Sequence, residues 1–224
     1  MLRMVAQTVA WVAVVGVLLF WPAGRLDWPQ AWVFLAIVLA CSLGLGFWLA
    51  RRDPGLLRER LRPVGLSEPD PVNRAYITAM MVGFHLWFVW MGLEARHRES
   101  QPWPAWAQAL GAAGVLACLA IAGLTFRENS FAAATIKLQA ERGQRVIDTG
   151  PYAVVRHPMY AGAIFWMFGM PLLIGGPWDL LIGAAAMAVV VVRLLGEERM
   201  LAAGLPGYSA YMRRVRWRLV PGIW

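Results

Sequence analysis

The chain has 224 residues, 59% of them hydrophobic, with a formal net charge of +8, and reads as one compact membrane unit. The positive charge does not mark a nucleic-acid binder. The basic residues fall in short clusters between apolar spans, where anchoring to anionic lipid explains them, and the 13 Trp suit interfacial aromatic belts. The two cysteines, Cys41 and Cys118, each lie inside an apolar span, which argues against a disulfide framework or a cysteine-based zinc site.

Four apolar spans come first, at about 4–22, 29–50, 73–94 and 104–126, each near the ~20 residues that a bilayer helix needs. The first is expected to be retained, because its apolar run is too long for a cleaved leader and no small-x-small cleavage site follows. Between spans two and three, Leu56-Leu57-Arg58-Glu59-Arg60-Leu61 predicts a short amphipathic helix on the headgroups. Pro63 to Pro71 predicts a turn-rich connector. In span three, His85 is an ionisable group at membrane depth, expected as a neutral side chain hydrogen-bonded to a neighbouring helix. Met80, Met81, Trp87, Phe88 and Trp90 around it are core or lipid-facing residues, or the wall of an acyl groove.

The loop from Arg127 to His157 is polar, with Glu128, Asn129, Lys137, Gln139, Glu141, Gln144 and Asp148. Gln144-Arg145-Val146-Ile147 alternates and predicts an extended segment before a turn at Gly150-Pro151. His157-Pro158 then marks a helix start. The residue before a proline is pushed out of the helical region, and proline at the first helical position loses no needed N–H. Arg156 and His157 therefore stand at the polar mouth of a helix whose free N–H groups face the same way. A tight pair of spans follows, about 158–174 and 178–196, broken by Gly175-Gly176-Pro177-Trp178-Asp179. Arg193 and Glu197, four residues apart, share one helix face. An arginine still inside an apolar run costs roughly 2.5–3.5 kcal/mol on insertion scales, so Arg193 needs a partner, a cavity or a ligand. Glu198 lies about 100° round the helix from Glu197 and can face Arg156 or Arg199.

Arg156-His157-Pro158-Met159-Tyr160-Ala161-Gly162, followed by Glu197-Glu198, resembles the signature of membrane-embedded methyltransferases, the group of the isoprenylcysteine carboxyl methyltransferases and the phospholipid methyltransferases. The resemblance covers roughly residues 127–224. It implies S-adenosylmethionine as cofactor and S-adenosylhomocysteine as product; methyl transfer by in-line displacement requires no metal, and no His/Cys/Asp cluster has metal-ligand spacing. The resemblance also implies cofactor contacts at Gln139, Gln144, Arg145, Val146, Ile147, Tyr152, His157, Pro158, Met159, Tyr160, Glu197 and Glu198. Arg193 matches a substrate-contacting arginine, and we place Arg156 beside Arg193 and Glu197 as a catalytic candidate. Independently of the family, a sulfonium and an ammonium ask for an anion such as Glu197, and for aromatic faces such as Tyr152 and Tyr160.

The tail from Gly207 to Trp224 is basic with aromatics interleaved, expected mainly as a membrane-surface anchor. Its Tyr208-x-x-Tyr211 … Val215-x-x-Arg218 … Pro221-x-Ile223 pattern also resembles the end of NADPH-dependent sterol reductases, which is the alternative reading. A non-catalytic membrane scaffold is the third. The expected fold is an all-α polytopic helical bundle of about six spans, five if the last pair is a partly inserted hairpin. Residues 1–126 form a four-span scaffold and 127–224 a catalytic region with a cytoplasm-facing cofactor site. Arginines crowd one side of the spans, leaving Arg25, Arg96 and Arg98 on the other, so the positive-inside rule puts both termini in the cytoplasm. The expected location is a cell inner membrane. The expected partners are membrane lipids and a lipophilic or small methyl acceptor, with no nucleic acid.

Overall fold

A computed structural model describes residues 1–62, 71–98, 103–132 and 138–224. Lys137 and the connector expected from Pro63 lie outside these residues, apart from Pro71. The described elements are helical: α1 (Leu2–Ala23), α2 (Pro29–Arg52), the short α3 (Pro54–Arg60), α4 (Pro71–His97), α5 (Ala105–Glu128), α6 (Pro158–Ile174), α7 (Pro177–Gly204) and α8 (Tyr208–Arg214). Five of them, α1, α2, α4, α5 and α7, are long and apolar enough to cross a membrane. α6 is apolar but has 17 residues, about 26 Å at 1.5 Å per residue, slightly short of the ~30 Å hydrocarbon core.

The six long helices run between the same two ends of the bundle. At one end Arg3 donates to the Leu61 carbonyl at 3.2 Å and Asn129 to the Tyr152 hydroxyl at 2.7 Å, while Tyr76, near the start of α4, donates to the Val189 carbonyl midway along α7 at 2.8 Å. At the other, Gln30 bonds Gln108 at 3.0 Å, Trp103 donates to the Pro171 carbonyl at 3.1 Å, and Arg98 to the Gly175 carbonyl at 2.9 Å. The last pair is not two short arms. α7 continues eight residues past the expected end at 196 to Gly204, because Glu197-Glu198-Arg199-Met200-Leu201-Ala202-Ala203 are good helix formers. Polarity there marks the exit from the apolar layer, and the breaker is Gly204-Leu205-Pro206-Gly207.

Leu19, Trp28, Phe34, Phe88, Met91, Met170 and Ile174 form the centre of the core between α1, α2, α4 and α6. Trp87 is buried with its indole N–H donated to Asp179 at 2.7 Å, while Met81 and Trp90 face outward. Among the described residues, His85 bonds no neighbouring helix. Its Nδ1 lies 2.6 Å from the Met81 carbonyl one turn back on its own helix, a partner always within reach of a helical side chain. α3 begins at Asp53, whose carboxylate accepts from the Leu56 N–H at 2.8 Å. Its apolar face is buried, Leu56 packing with Leu49 and Phe126. Arg60 stacks 4.3 Å over the Phe126 ring, and burial lowers its guanidinium pKa to about 10.

α5 and α6 touch backbone to backbone. A Cβ on Gly111 would stand 2.6 Å from the Gly169 carbonyl oxygen, and one on Gly169 2.8 Å from that of Gly111, the close approach that small residues permit between membrane helices. Gly111→Leu should force the helices apart, cost at least the ~1–3 kcal/mol of an overpacked core, and lower the melting temperature by several degrees. Gly83→Leu, where a Cβ meets nothing within 4 Å, is the control expected to melt like the parent. Equal melting of the two variants would contradict the packing.

Candidate active site

Gly150 sits in the left-handed region at φ 56°. There a Cβ would strike the Glu128 side chain at 2.5 Å, so the chain needs glycine to turn under α5. The short 3-10 turn Gly150–Ala153 follows and carries Tyr152 inward. Its hydroxyl accepts from Asn129 and its carbonyl from the Tyr211 hydroxyl at 2.8 Å. Burial pushes the Tyr152 phenol up to about 12, against the Asn129 hydrogen bond and with the nearby Glu197 charge, so it stays neutral at physiological pH.

His157 takes the cap position of α6 at φ −126° and ψ 66°, with Pro158 the first helical residue, as the dipeptide predicts. The backbone N–H groups of Arg156 and His157 donate to the carbonyls of Trp217 and Arg218 at 2.9 and 3.1 Å, which docks the tail against the start of α6. Behind this pairing is a buried ionic cluster. Arg156 Nε donates to Glu198 at 2.5 Å, Arg218 Nε donates to the other Glu198 oxygen at 2.8 Å, and His157 Nε2 lies 3.4 Å from Glu198. Arg156 also donates to the carbonyls of Val215 and Arg216, both at 2.8 Å. Glu198 therefore binds three segments of the chain together.

In front of the cluster is a cavity of about 310 Å³. Glu197 is the one carboxylate among its described lining residues, with Arg60, Arg145, Arg156 and Arg193 as cations. Tyr160 donates to Glu197 Oε2 at 2.7 Å, and Arg193 Nε donates to the Tyr160 oxygen at 3.3 Å. The Arg193 guanidinium also lies 5.6 Å from the centre of the Tyr76 ring. α7 thus presents an Arg–Tyr–Glu relay along one cavity wall, with α6 supplying the middle member.

Gln144, Arg145, Val146, Ile147, Tyr152, Arg156, His157, Pro158, Met159, Tyr160, Arg193 and Glu197 line this cavity. Residues 144–148 are irregular backbone with no strand assigned. Two of the carried-over residues stand elsewhere. Glu198 is 4% exposed inside its cluster. Gln139 is 1% exposed and organises the loop, donating to the Phe131 carbonyl at 2.8 Å and accepting from Arg142 at 2.5 Å.

Sequence reading missed several wall residues. Arg60 comes from α3, Asn129 and Phe131 from the end of α5, and Leu205, Tyr208 and Tyr211 from the tail. Part of the tail, expected mainly as a membrane-surface anchor, packs into the fold. Tyr208, Tyr211, Val215 and Leu205 are buried together against Leu138, Val146 and Leu201, because the left-handed turn at Gly207, φ 85°, folds α8 back over the loop. The signal was the Tyr-x-x-Tyr spacing, close enough for both rings to share one face of a short helix. Burial raises the Tyr208 and Tyr211 phenols above their ordinary range.

An S-adenosylmethionine site would need an anion, aromatic faces, a carboxylate partner and spare hydrogen-bonding capacity. Glu197, Tyr152 and Tyr160, and Arg145 provide the first three. The Tyr208 hydroxyl provides the fourth, since it is buried with no hydrogen-bond partner among the described residues although it lines the cavity. The residues present fit the group.

These features define a polytopic α-helical membrane protein with a loop-covered polar cavity at its arginine-rich end. Residues 106–205, from the start of α5 to the end of α7, match the family described as phospholipid methyltransferase. Over 63 residues the chain is 36% identical to protein-S-isoprenylcysteine O-methyltransferase B of Arabidopsis thaliana, a match covering 28% of this chain and 30% of that protein. The methyltransferase group resembled by the Arg156–Gly162 and Glu197-Glu198 motifs is the one to which both similarities lead.

Proposed function

We propose that the protein is an integral membrane methyltransferase that uses S-adenosylmethionine and modifies a lipophilic or small membrane-accessible acceptor. An isoprenylcysteine-type carboxylate, a phospholipid amine and a thiol are the candidate acceptors. The observation that carries this reading is the Arg193–Tyr160–Glu197 relay on the wall of a cavity largely enclosed by the region of family similarity. When bound, the cofactor supplies a methyl group on a sulfonium sulfur, open to in-line displacement by the acceptor's lone pair.

The protein's part is chiefly positioning, which can supply several kcal/mol. Glu197, held by the Tyr160 hydroxyl, would pair with the cofactor's ammonium. Arg145, exposed at the mouth, would take its carboxylate, and the neutral ring of Tyr152 favours the cationic methyl-sulfonium. Tyr208 and Tyr211 close the cavity from the tail side and exclude water. Arg156 acts through the tail, since its guanidinium is committed to Glu198 and two tail carbonyls. Residues 127–224 are read as the catalytic region on a scaffold formed by 1–126, with α3 lending Arg60. Positive-inside orientation places the cavity and both termini in the cytoplasm, on the side where the cofactor is made, and a cell inner membrane is the expected location.

Calorimetry on the purified protein tests the cofactor assignment. S-adenosylhomocysteine should bind, Tyr152→Ala or Glu197→Ala should weaken it at least tenfold, and Tyr208→Phe should weaken it about fivefold, the ~1 kcal/mol of one neutral hydrogen bond. Binding of NADPH without S-adenosylhomocysteine would favour the reductase reading instead. Binding of neither by folded protein would favour a scaffold.

A further inference from the structure

A second cavity lies on the bilayer-facing side of the bundle, at the end away from the candidate active site. The C-terminal half of α1 and the N-terminal half of α2 enclose a groove of about 990 Å³, walled by residues such as Val12, Gly16, Phe20, Leu35 and Leu39. Along α1 it runs from Val12 to Arg25, roughly 20 Å at 1.5 Å per residue, slightly more than one leaflet of the ~30 Å hydrocarbon core. Gly16 leaves it open: a Cβ there would meet only Leu35, at 3.5 Å.

The outer end of the groove is polar and unmatched. Arg25 lines it, and the Arg25 Nε is buried with no hydrogen-bond partner among the described residues. Arg96 approaches the same corner, its Nε 4.0 Å from where a Cβ on Gly24 would stand. A buried N–H without an acceptor is unfavourable, and a second guanidinium nearby adds like-charge repulsion. An anionic oxygen relieves both. Trp21 and Trp32, 84% and 51% exposed on the rim, are the side chains that favour the headgroup level.

We propose that the α1–α2 groove binds an anionic phospholipid, with one acyl chain between the helices and the phosphate on Arg25 and Arg96. Charge decides against a second copy of this chain as occupant. A two-fold axis along the membrane normal that joined groove to groove would bring the Arg25 and Arg96 corners of both copies together. The proposal needs only the membrane-spanning fold and is independent of the methyltransferase reading.

Native mass spectrometry of the delipidated full chain in detergent, titrated with phosphatidylglycerol or phosphatidylcholine, tests it. The parent should bind its first phosphatidylglycerol at least tenfold more tightly than phosphatidylcholine. Arg25→Gln should bring the two lipids within threefold of each other. Gly16→Leu, which fills the groove without touching Arg25, should weaken phosphatidylglycerol binding at least fivefold, and Ala36→Phe is a second groove-filling variant should that one fail to fold. Equal affinity for the two lipids in the parent, or a preference that survives Arg25→Gln, overturns the proposal. So does a dimer that Gly16→Leu dissociates, which would make a second copy the occupant.

Discussion

Glu198→Ala should cost about 3–5 kcal/mol of stability, because removing one partner of a buried ion pair leaves uncompensated charge. The Glu198 and Arg156 side chains are 5% and 4% exposed, and Arg156 would keep only the tail carbonyls as partners. Arg218 is 29% exposed at its side chain and can hydrate, so Arg218→Ala should cost about 1 kcal/mol, nearer the range of exposed pairs. The larger loss should be visible as a fall in melting temperature and as proteolytic release of the tail. A double-mutant cycle between positions 198 and 218 should give a coupling well above zero, since both groups belong to one network. A Glu198→Ala protein as stable as the parent would mean that the cluster holds nothing together.

Arg193→Lys should separate acceptor handling from cofactor binding. Arg193 lies one helical turn, about 6 Å, from Glu197 towards the middle of α7, beside Tyr76 of α4. A lipophilic acceptor approaching from the bilayer would meet it before the cofactor's polar end. Lysine keeps the charge but loses the planar fork that can grip an anionic group with two hydrogen bonds. S-adenosylhomocysteine affinity should stay within about threefold of the parent. Acceptor-dependent turnover should fall at least tenfold, which is about 1.4 kcal/mol of transition-state stabilisation. Equal loss of both would mean that Arg193 serves only to hold Tyr160 and Glu197. Unchanged turnover would reduce it to an interfacial arginine.

The helices were legible because each apolar run is long and bounded by Pro, Gly or charge, as at Pro29, Pro104 and Pro177. The end of α7 was not, because hydropathy reports where a helix leaves the bilayer and not where its hydrogen bonding stops. Glu197 and Glu198 were separable in advance by their different bearings round the helix, and they do face a cavity and a buried cluster respectively. The Arg156–Gly162 motif located the centre of the candidate site. The remaining wall escaped notice because Arg60, Asn129, Phe131 and Tyr208 reach it from separate segments, and no local periodicity links such residues. Interleaved Arg and aromatic side chains in the tail look the same on a membrane surface as in a folded lid. Only the turn at Gly207 and the docking of Arg156 and His157 on residues 217 and 218 distinguish the two.

Transfer of a labelled methyl group tests the central claim most directly. Purified protein would be incubated with native lipid and small-molecule extracts and S-adenosylmethionine carrying a deuterated methyl group, and the products read by mass spectrometry. The account predicts a deuterated methyl on a species from those extracts, absent with Glu197→Ala and reduced at least tenfold with Arg193→Lys. Folded protein that leaves every extract unlabelled, or labels it equally well with Glu197→Ala, would contradict it.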